Sequence, residues 1–168
     1  MRLFEALPHR LAKFGLEVAP EKTQVVRFSR FHPSMRRRIT FLGFELFWFE
    51  DRAGVPRVKR RTARSKLQGA VQRLKDWIKS HRHLPARAFM RGLNRRLVGH
   101  YNYYGLRGNL RDLWGFYQAA IASAFKWLNR RGGKRKSFTW AVFNQALTRL
   151  GVAKPRITEK TYARRVLA

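Results

Sequence analysis

Apolar residues near the start of the chain recur at the spacing of an α-helix. Four of them share one helical face: Leu3, Leu7, Leu11 and Phe14. This pattern predicts a helix over residues 3–14, which Gly15 would terminate. Pro8 lies inside this segment and is expected to cause a kink or a late start of the helix.

β-branched and aromatic residues then dominate two segments, 24–28 and 39–49. They predict two or three antiparallel strands with polar turns between them. A further short strand is expected at 55–58. Because Pro56 cannot donate a hydrogen bond to a ladder, this strand is predicted to lie at an edge of the sheet.

The apolar spacing becomes helical again beyond residue 61. Four segments have this spacing: 67–78, 89–97, 110–128 and 140–150. Each is predicted to be an amphipathic helix with its apolar side toward a core. Thr62 and Asn109 are the predicted N-caps of the first and third of these helices. Pro85 would open the second helix, and Gly151 would end the fourth.

The predicted fold class is therefore α+β and mainly α. We expect a small antiparallel β unit in residues 1–60, a basic helical bundle in residues 61–150 and an irregular basic tail in residues 151–168. With 168 residues, of which 45% are apolar, the chain can bury one sizeable core or two small ones.

The charge balance points to a polyanionic partner. Lys and Arg number 38 against 9 Asp and Glu, so the net charge is +29. Nucleic acid is the predicted partner, because it is the commonest polyanion in a cell. The cations are spread from Arg2 to Arg165 and are interleaved with aromatic residues, which argues against a basic tail on a neutral domain.

No membrane partner is predicted, and a cytoplasmic location is expected. The longest apolar run, 39–49, is interrupted by Glu45 and is shorter than the about 20 residues that a membrane helix needs. No continuous apolar stretch of the signal-peptide type follows Met1. Cysteine is absent, which excludes disulfides and thiolate zinc sites.

The residue types of a complete catalytic site are not found. No two aspartates have metal-binding spacing, and the adjacent pair Glu50 and Asp51 lies in a predicted turn. No serine lies in a glycine elbow. His81 and His83 have no cysteine or nearby carboxylate, so an exposed helix end is favoured over a metal site. We predict neither a metal site nor a cofactor in this chain.

Four segments carry recognisable motifs. They are 15–23 (GLEVAPEKT), 41–44 (FLGF), 93–104 (LNRRLVGHYNYY) and 126–140 (KWLNRRGGKRKSFTW). In this order they resemble motifs of the group II intron reverse transcriptases. The first two resemble the lysine-bearing turn and the primer-grip hairpin that end the palm. The third resembles the thumb and maturase signature, and the fourth resembles the segment that closes it.

The resemblance implies that the chain corresponds to the C-terminal part of such a protein. A β-hairpin remnant of the polymerase palm would occupy 1–60, and a basic helical thumb and maturase-specific bundle would occupy 61–150. The YADD aspartates that hold two Mg²⁺ in the family have no equivalent here. The chain is therefore not expected to be an enzyme by itself, and Mg²⁺ is expected only in the full-length family enzyme.

Two sets of residues are implied to lie near a primer end. Lys22 matches the family lysine near the leaving pyrophosphate, where a cation could stabilise developing charge. A surface lysine without that role is the alternative. The primer-grip-like residues are Phe41, Leu42, Gly43 and Phe44. For the phenylalanines, packing in a strand core is the alternative.

Basic, amide and phenol side chains are the predicted RNA contacts, because arginine binds phosphate and aromatic rings stack on bases. They are Arg91, Asn94, Arg95, Arg96, Tyr101, Asn102, Tyr103, Tyr104, Arg107, Arg130, Arg131, Lys134, Arg135 and Lys136. Packing between helices carries about half the weight for any single tyrosine. The glycine loop at 130–136 does not have P-loop spacing, so loose phosphate contact is expected there.

Three hypotheses about function follow. The preferred one is an RNA-binding maturase-type fragment that holds group II intron RNA and favours its splicing-competent fold, while the RNA does the chemistry. The second is one part of a split or truncated RNA-directed DNA polymerase, which would need an upstream fragment for catalysis. A DNA target or primer strand is a further candidate partner. The third is a generic basic module, which would bind RNA and duplex DNA equally well.

Overall fold

A computed structural model describes residues 2–23, 25–130 and 138–160 of the chain. These residues form an α+β fold that contains five α-helices and one three-stranded antiparallel sheet. The fold is about 52% helical. The predicted fold class, mainly α with a small antiparallel β unit, is therefore confirmed.

The helices and strands follow one another in a simple order. They are α1 (Arg2–Ala12), β1 (Arg38–Phe41), β2 (Phe44–Glu50), β3 (Pro56–Thr62), α2 (Arg64–His81), α3 (Ala86–Tyr104), α4 (Leu110–Asn129) and α5 (Trp140–Arg149), with a single 3₁₀ turn at Pro20–Lys22. The sheet order is β1-β2-β3, so β1 and β3 are edge strands.

A two-residue turn joins β1 to β2. Phe41 lies opposite Phe44 in the register, and Leu42 and Gly43 have positive φ values of 47° and 80°. Positive φ at both positions defines a type I′ turn, whose backbone twist matches that of the flanking strands. The predicted run at 39–49 is thus divided into two paired strands.

Two strand predictions need correction. Residues 25–28 contain no strand. This segment contacts the sheet through an aromatic side chain and does not pair with it through backbone hydrogen bonds. Phe28 packs on Trp48 of β2, with the ring centroids 5.2 Å apart. The edge strand predicted at 55–58 is longer than expected and runs over the whole of β3, with Pro56 as its first residue.

The core lies between α2, α3, α4 and α5. Most of its fully buried apolar side chains come from the predicted stripes: Ile78, Phe89, Leu93, Leu97, Leu113, Ala124 and Phe143. The predicted helices in 67–78, 89–97, 110–128 and 140–150 are therefore confirmed. The side chains described in α1 remain largely exposed.

A buried amide joins the sheet to the helices. The Asn109 side chain is 1% exposed; its Oδ1 accepts from the Thr62 N–H at 2.9 Å, and its Nδ2 donates to Thr62 Oγ1 and to the Tyr104 carbonyl, both at 2.8 Å. Asn109 occupies the N-cap position of α4 but makes no side-chain capping bond. Thr62 does not cap α2, whose N-cap position belongs to Ala63. The prediction for Thr62 is therefore wrong, and that for Asn109 is right in position only, because these polar groups bond each other across the fold.

Residues 152–160 have no regular secondary structure, and we call them the strap. The strap packs along α3 and is held there by hydrogen bonds. The Ala153 N–H donates to Asn94 Oδ1 at 2.8 Å, and Thr158 Oγ1 donates to the Tyr101 carbonyl at 2.9 Å. The strap passes so close to Gly105 that a Cβ at that position would lie 2.4 Å from Thr158 Oγ1. This close approach requires glycine.

Candidate nucleic-acid interface

The cations of this chain cannot be neutralised internally. Even if each of the 9 carboxylates balanced one of the 38 cations, 29 positive charges would remain. Ion pairs in the described part of the chain engage Arg38, Arg57, Arg60 and Arg61. The remaining excess can be balanced only by a partner or by solution ions.

One face of the sheet combines cations with aromatic rings, and we call it the cationic sheet face. In the register, Phe47 lies opposite both Arg38 and Lys59, and directly opposed residues point to the same side. The guanidinium carbons of Arg38 and Arg61 lie 5.6 and 5.0 Å from the Phe47 ring centroid. Lys59 Nζ lies 4.0 Å from the Phe49 centroid. Two half-buried rings are therefore flanked by cations on a solvated sheet face.

A single carboxylate organises this face. Glu45 accepts hydrogen bonds from Arg61 and, at 3.2 Å, from Arg38. Burial acts to raise the pKa of Glu45, but the bonds and charges of Arg61 and Arg38 outweigh burial and lower the pKa below its usual value. Glu45 thus remains ionised and holds the two guanidinium groups beside Phe47.

A second concentration of charge surrounds Trp127, and we call it the Trp127 cluster. The cations of Lys79 and Arg82, near the end of α2, lie 5.6 and 5.1 Å from the Trp127 ring centroid. Those of Lys126 and Arg130, at the end of α4, both lie 5.8 Å from it. None of the four forms an ion pair within the described residues. Four like charges around one indole form a site suited to phosphate beside a stacked base.

The tyrosines predicted as RNA contacts differ in exposure. Tyr101 has no exposed surface, and its hydroxyl donates to the Ala153 carbonyl at 3.3 Å. An RNA base cannot stack on a fully buried ring, so the predicted contact at Tyr101 is wrong. Tyr104 is half-buried against Phe44. Tyr103 is exposed and lies roughly parallel to Phe44, with centroids 5.8 Å apart.

The predicted polar contacts on α3 also divide. Asn94 uses both polar atoms of its amide to hold the start of the strap. Oδ1 accepts from the Ala153 N–H, and Nδ2 donates to the carbonyl of Gly151, the residue before the strap. Arg96 packs over the Trp77 ring with 3.9 Å to the centroid. Burial, with a smaller contribution from the Arg95 charge, lowers the pKa of Arg96. Arg96 nevertheless remains exposed overall, as do three further predicted contacts: Arg91, Arg95 and Asn102.

Arg107 lies in the exposed loop between α3 and α4. Its backbone N–H donates to Glu159 Oε2 at 2.8 Å, and Glu159 also binds Arg60 of β3. The Arg107 N–H and the Arg60 side chain hold the pKa of Glu159 below its usual value. Glu159 thus links the strap, the sheet and this loop.

Several predicted site residues lie outside the described part of the chain. They are Arg131, Lys134, Arg135 and Lys136, together with the side chain of Lys22. Their predicted phosphate and leaving-group contacts stay predictions. Arg130, which precedes the glycine loop, belongs to the Trp127 cluster.

The hairpin turn forms an exposed apolar tip. Phe41 and Leu42 are 63% and 66% exposed. The Tyr103 hydroxyl donates to the Leu42 carbonyl at 2.9 Å. A Cβ at Gly43 would lie 3.1 Å from the Tyr104 hydroxyl, so the side chains of α3 hold the turn closely. The primer-grip-like residues are therefore fixed against the end of α3.

We expect Leu42→Asn to raise the free energy of unfolding by about 1 kcal/mol, because a left-handed backbone is unfavourable for leucine and well tolerated by asparagine. Urea denaturation would measure this change. Leu42→Ala removes the same apolar side chain but keeps the unfavourable backbone, so it serves as the control. A loss of stability in Leu42→Asn would contradict the turn geometry.

Metal and membrane sites are not found in the described residues. No three histidine or carboxylate side chains among residues 2–23, 25–130 and 138–160 converge as metal ligands. His81 instead packs on Trp77, with ring centroids 4.7 Å apart. Within the same residues, no helix combines the length and apolar character needed to cross a bilayer.

The cationic sheet face and the Trp127 cluster were not predicted as sites. For the sheet face, a signal existed in the alternation of FELFWFE beside PRVKRRT, which places cations and rings on one side of paired strands. The Trp127 cluster depends on how the ends of α2 and α4 meet, which no local pattern encodes. No protein-family model, curated protein or solved structure matches this chain.

Proposed function

We propose that this chain binds structured RNA as a maturase-type protein without a polymerase active site of its own. The Trp127 cluster carries the proposal. Its four cations surround one indole and form no ion pair with a carboxylate in the described residues. Unstacked RNA bases with their phosphates match this combination, because rings accept bases and cations accept phosphates.

Group II intron RNA is the proposed target. The motif resemblance at 15–23, 41–44, 93–104 and 126–140 favours it over other structured RNA. The cationic sheet face offers a second surface of similar chemistry. By binding the splicing-competent RNA fold more tightly than misfolded alternatives, the protein would shift the RNA toward the active state. The RNA itself would carry out the splicing chemistry.

Part of a split or truncated RNA-directed DNA polymerase is the second candidate. The exposed hairpin tip favours it, since Phe41 and Leu42 present apolar surface at the primer-grip-like turn. The nucleotide sequence upstream of this coding region decides between the two. A YADD-encoding region there, in frame or frameshifted, would support the polymerase fragment, and an unrelated gene would support an autonomous RNA-binding protein.

The RNA proposal predicts saturable binding to a group II intron transcript with a strong salt dependence. The triple variant Lys79→Gln, Arg82→Gln and Lys126→Gln should bind at least about tenfold more weakly. Its slope of log affinity against log salt should fall by about 2 to 3, because each lost phosphate contact removes nearly one unit. Filter binding or fluorescence anisotropy at several salt concentrations would measure both quantities.

A matched variant separates specific contacts from net charge. Arg10→Gln, Lys13→Gln and Arg36→Gln remove the same charge at exposed positions that are not part of the Trp127 cluster. This variant should retain most of the affinity. Equal losses in the two triple variants, or parallel salt slopes for the transcript and for duplex DNA, would show generic polycation binding and overturn the proposal.

A further inference from the structure

We propose that a cavity between α2, α3 and α4 binds one nucleotide, with the base against its aromatic wall and the phosphate at its arginines. This proposal rests on the proposed RNA binding and adds a specific pocket to it. The cavity is open to solvent, and its volume is about 500 Å³. Its chemically distinctive lining residues are Arg73, Trp77, Arg96, Gly99, His100 and Phe116.

Planar rings form much of the cavity wall. His100 stacks on Phe116 with centroids 3.7 Å apart and ring planes 13° from parallel. Trp77 is supported from the core by Phe89, with centroids 5.5 Å apart. Phe89 and Arg96 already pack on Trp77, and Phe116 and Tyr104 already pack on His100. A flat ligand such as a nucleobase would therefore contact the Arg96 guanidinium and the edges of these rings.

His100 supplies an unused polar group. Its side chain is 9% exposed, and Nε2 has no hydrogen-bond partner among the described residues. Buried polar atoms are normally hydrogen-bonded, so an unpartnered one in a cavity wall calls for an explanation. Burial lowers the pKa of His100 to about 4, which keeps the imidazole neutral at pH 7. A neutral imidazole can donate or accept one bond at Nε2, but this atom is buried, so a base edge reaches it only by displacing a side chain that covers it.

The charges at the cavity select an anion. Arg73 and Arg96 both line it, and no carboxylate does. Arg96 lies over the Trp77 ring at 3.9 Å, so its guanidinium covers one face of that ring and itself lines the cavity. A ligand with one planar ring and one negative group therefore fits better than a purely apolar one.

Gly99 leaves the α3 backbone accessible from the cavity. A Cβ at this position would meet no atom within 4 Å, so no packing contact within the described residues requires glycine here. Glycine inside a helix is less favourable than alanine. Its presence at the cavity is explained if a ligand approaches the α3 backbone closely.

The test uses the full chain and nuclear magnetic resonance of the histidine side chains. The probes are AMP, GMP, CMP and UMP, a single-stranded RNA oligonucleotide and inorganic phosphate. The His100 imidazole signals, assigned by their loss in His100→Phe, should shift on addition of mononucleotides or of the oligonucleotide. A shift with the oligonucleotide alone would identify the ligand as a nucleotide within an RNA chain. A shift with mononucleotides would show that a free nucleotide also enters.

Two glycine variants make the test specific. Gly99→Leu adds an apolar side chain at the cavity without changing charge and should weaken nucleotide binding at least tenfold. Gly115→Leu adds the same side chain at another exposed helical glycine with no atom within 4 Å, and it should bind like the wild type. Circular dichroism would establish that both variants are folded, and Gly99→Ala, which adds a single methyl group, should show a smaller loss.

Three outcomes would overturn the nucleotide pocket. They are no His100 shift with any nucleotide or RNA, an equal shift with inorganic phosphate alone, and equal behaviour of Gly99→Leu and Gly115→Leu. If the intron transcript still binds with its expected salt dependence, only the pocket fails and the RNA proposal stands. If the transcript also fails to bind, both proposals fail.

Discussion

Replacement of Asn109 with alanine is expected to lower the free energy of unfolding by about 3 kcal/mol, because it removes a buried amide and leaves its partners unsatisfied. The Tyr104 carbonyl would lose the Asn109 donor. The Thr62 hydroxyl would lose its donor as well, while the Thr62 N–H would keep only the longer bond to Asp112 Oδ2 at 3.2 Å. Urea denaturation monitored by circular dichroism would measure the change.

Asn102→Ala is the matched control for this prediction. Asn102 is exposed on α3, so its replacement should change stability by no more than about 0.5 kcal/mol. Asn109→Asp offers a second comparison, since it keeps the shape and one acceptor but removes the Nδ2 donor. If Asn109→Ala were as stable as Asn102→Ala, the buried amide would not be the joint between sheet and helices.

Acidification is expected to destabilise the fold through His100. Its pKa is about 4 in the folded protein against an ordinary value of 6.5, so the unfolded chain binds the proton more readily. Stability is therefore fully present above pH 6.5 and is lost as the pH falls toward 4. The loss amounts to about 2 kcal/mol between pH 7 and pH 5 and approaches about 3 kcal/mol near pH 4.

The surroundings of His100 are consistent with a lowered pKa. Arg73 and Arg96 line the same cavity, and no carboxylate lines it, so nothing there favours the imidazolium. Phe116 and Tyr104 flank the ring with centroids 3.7 and 4.7 Å away. A protonated His100 would be buried beside these rings without a counter-ion.

Unfolding free energies at pH 7, 6 and 5 would test the effect. His100→Phe keeps an aromatic ring beside Phe116 and should remove most of the pH dependence in this window. His32→Phe changes an exposed histidine and should leave the dependence as in the wild type. Glu45 and Glu159 have pKa values below the ordinary 4.5, so they are protonated only below the pH range of this test and do not account for its result. A pH dependence retained in His100→Phe would contradict the assignment.

Local periodicity was sufficient to predict the helices and most of the core. Leu93 and Leu97 lie four residues apart on α3, Leu113 belongs to the apolar stripe of α4, and all three are fully buried. Such positions are decided by which side of a helix is apolar, and this information is present in the residues nearby. The hairpin at 41–44 was anticipated from the FLGF motif.

Contacts between distant segments could not be predicted in this way. Asn109 and Thr62 each resemble a helix cap, yet they bond each other across 47 positions of the chain. Residues 25–28 have the composition of a strand, but Phe28 serves as a packing ring on Trp48. In both cases tertiary contacts outweigh local preference.

The chemistry of the candidate interface was predicted from the sequence, but only some of its residues were. The charge excess indicated a polyanionic partner, and Arg96 and Arg130 proved to lie beside tryptophans. The composition of residues 93–104 did not distinguish a buried phenol such as Tyr101 from an exposed one such as Tyr103. Burial of single side chains depends on which elements cover α3, and the strap is one of them.

The bond between Glu159 and Arg60 spans 99 residues, which has a consequence for the order of assembly. Closing so long a loop is entropically costly before the intervening elements have formed. During translation, Arg60 is synthesised 99 residues before Glu159, so β3 and α2 can emerge from the ribosome first. We therefore expect the strap to dock on β3 and α3 after these elements have formed.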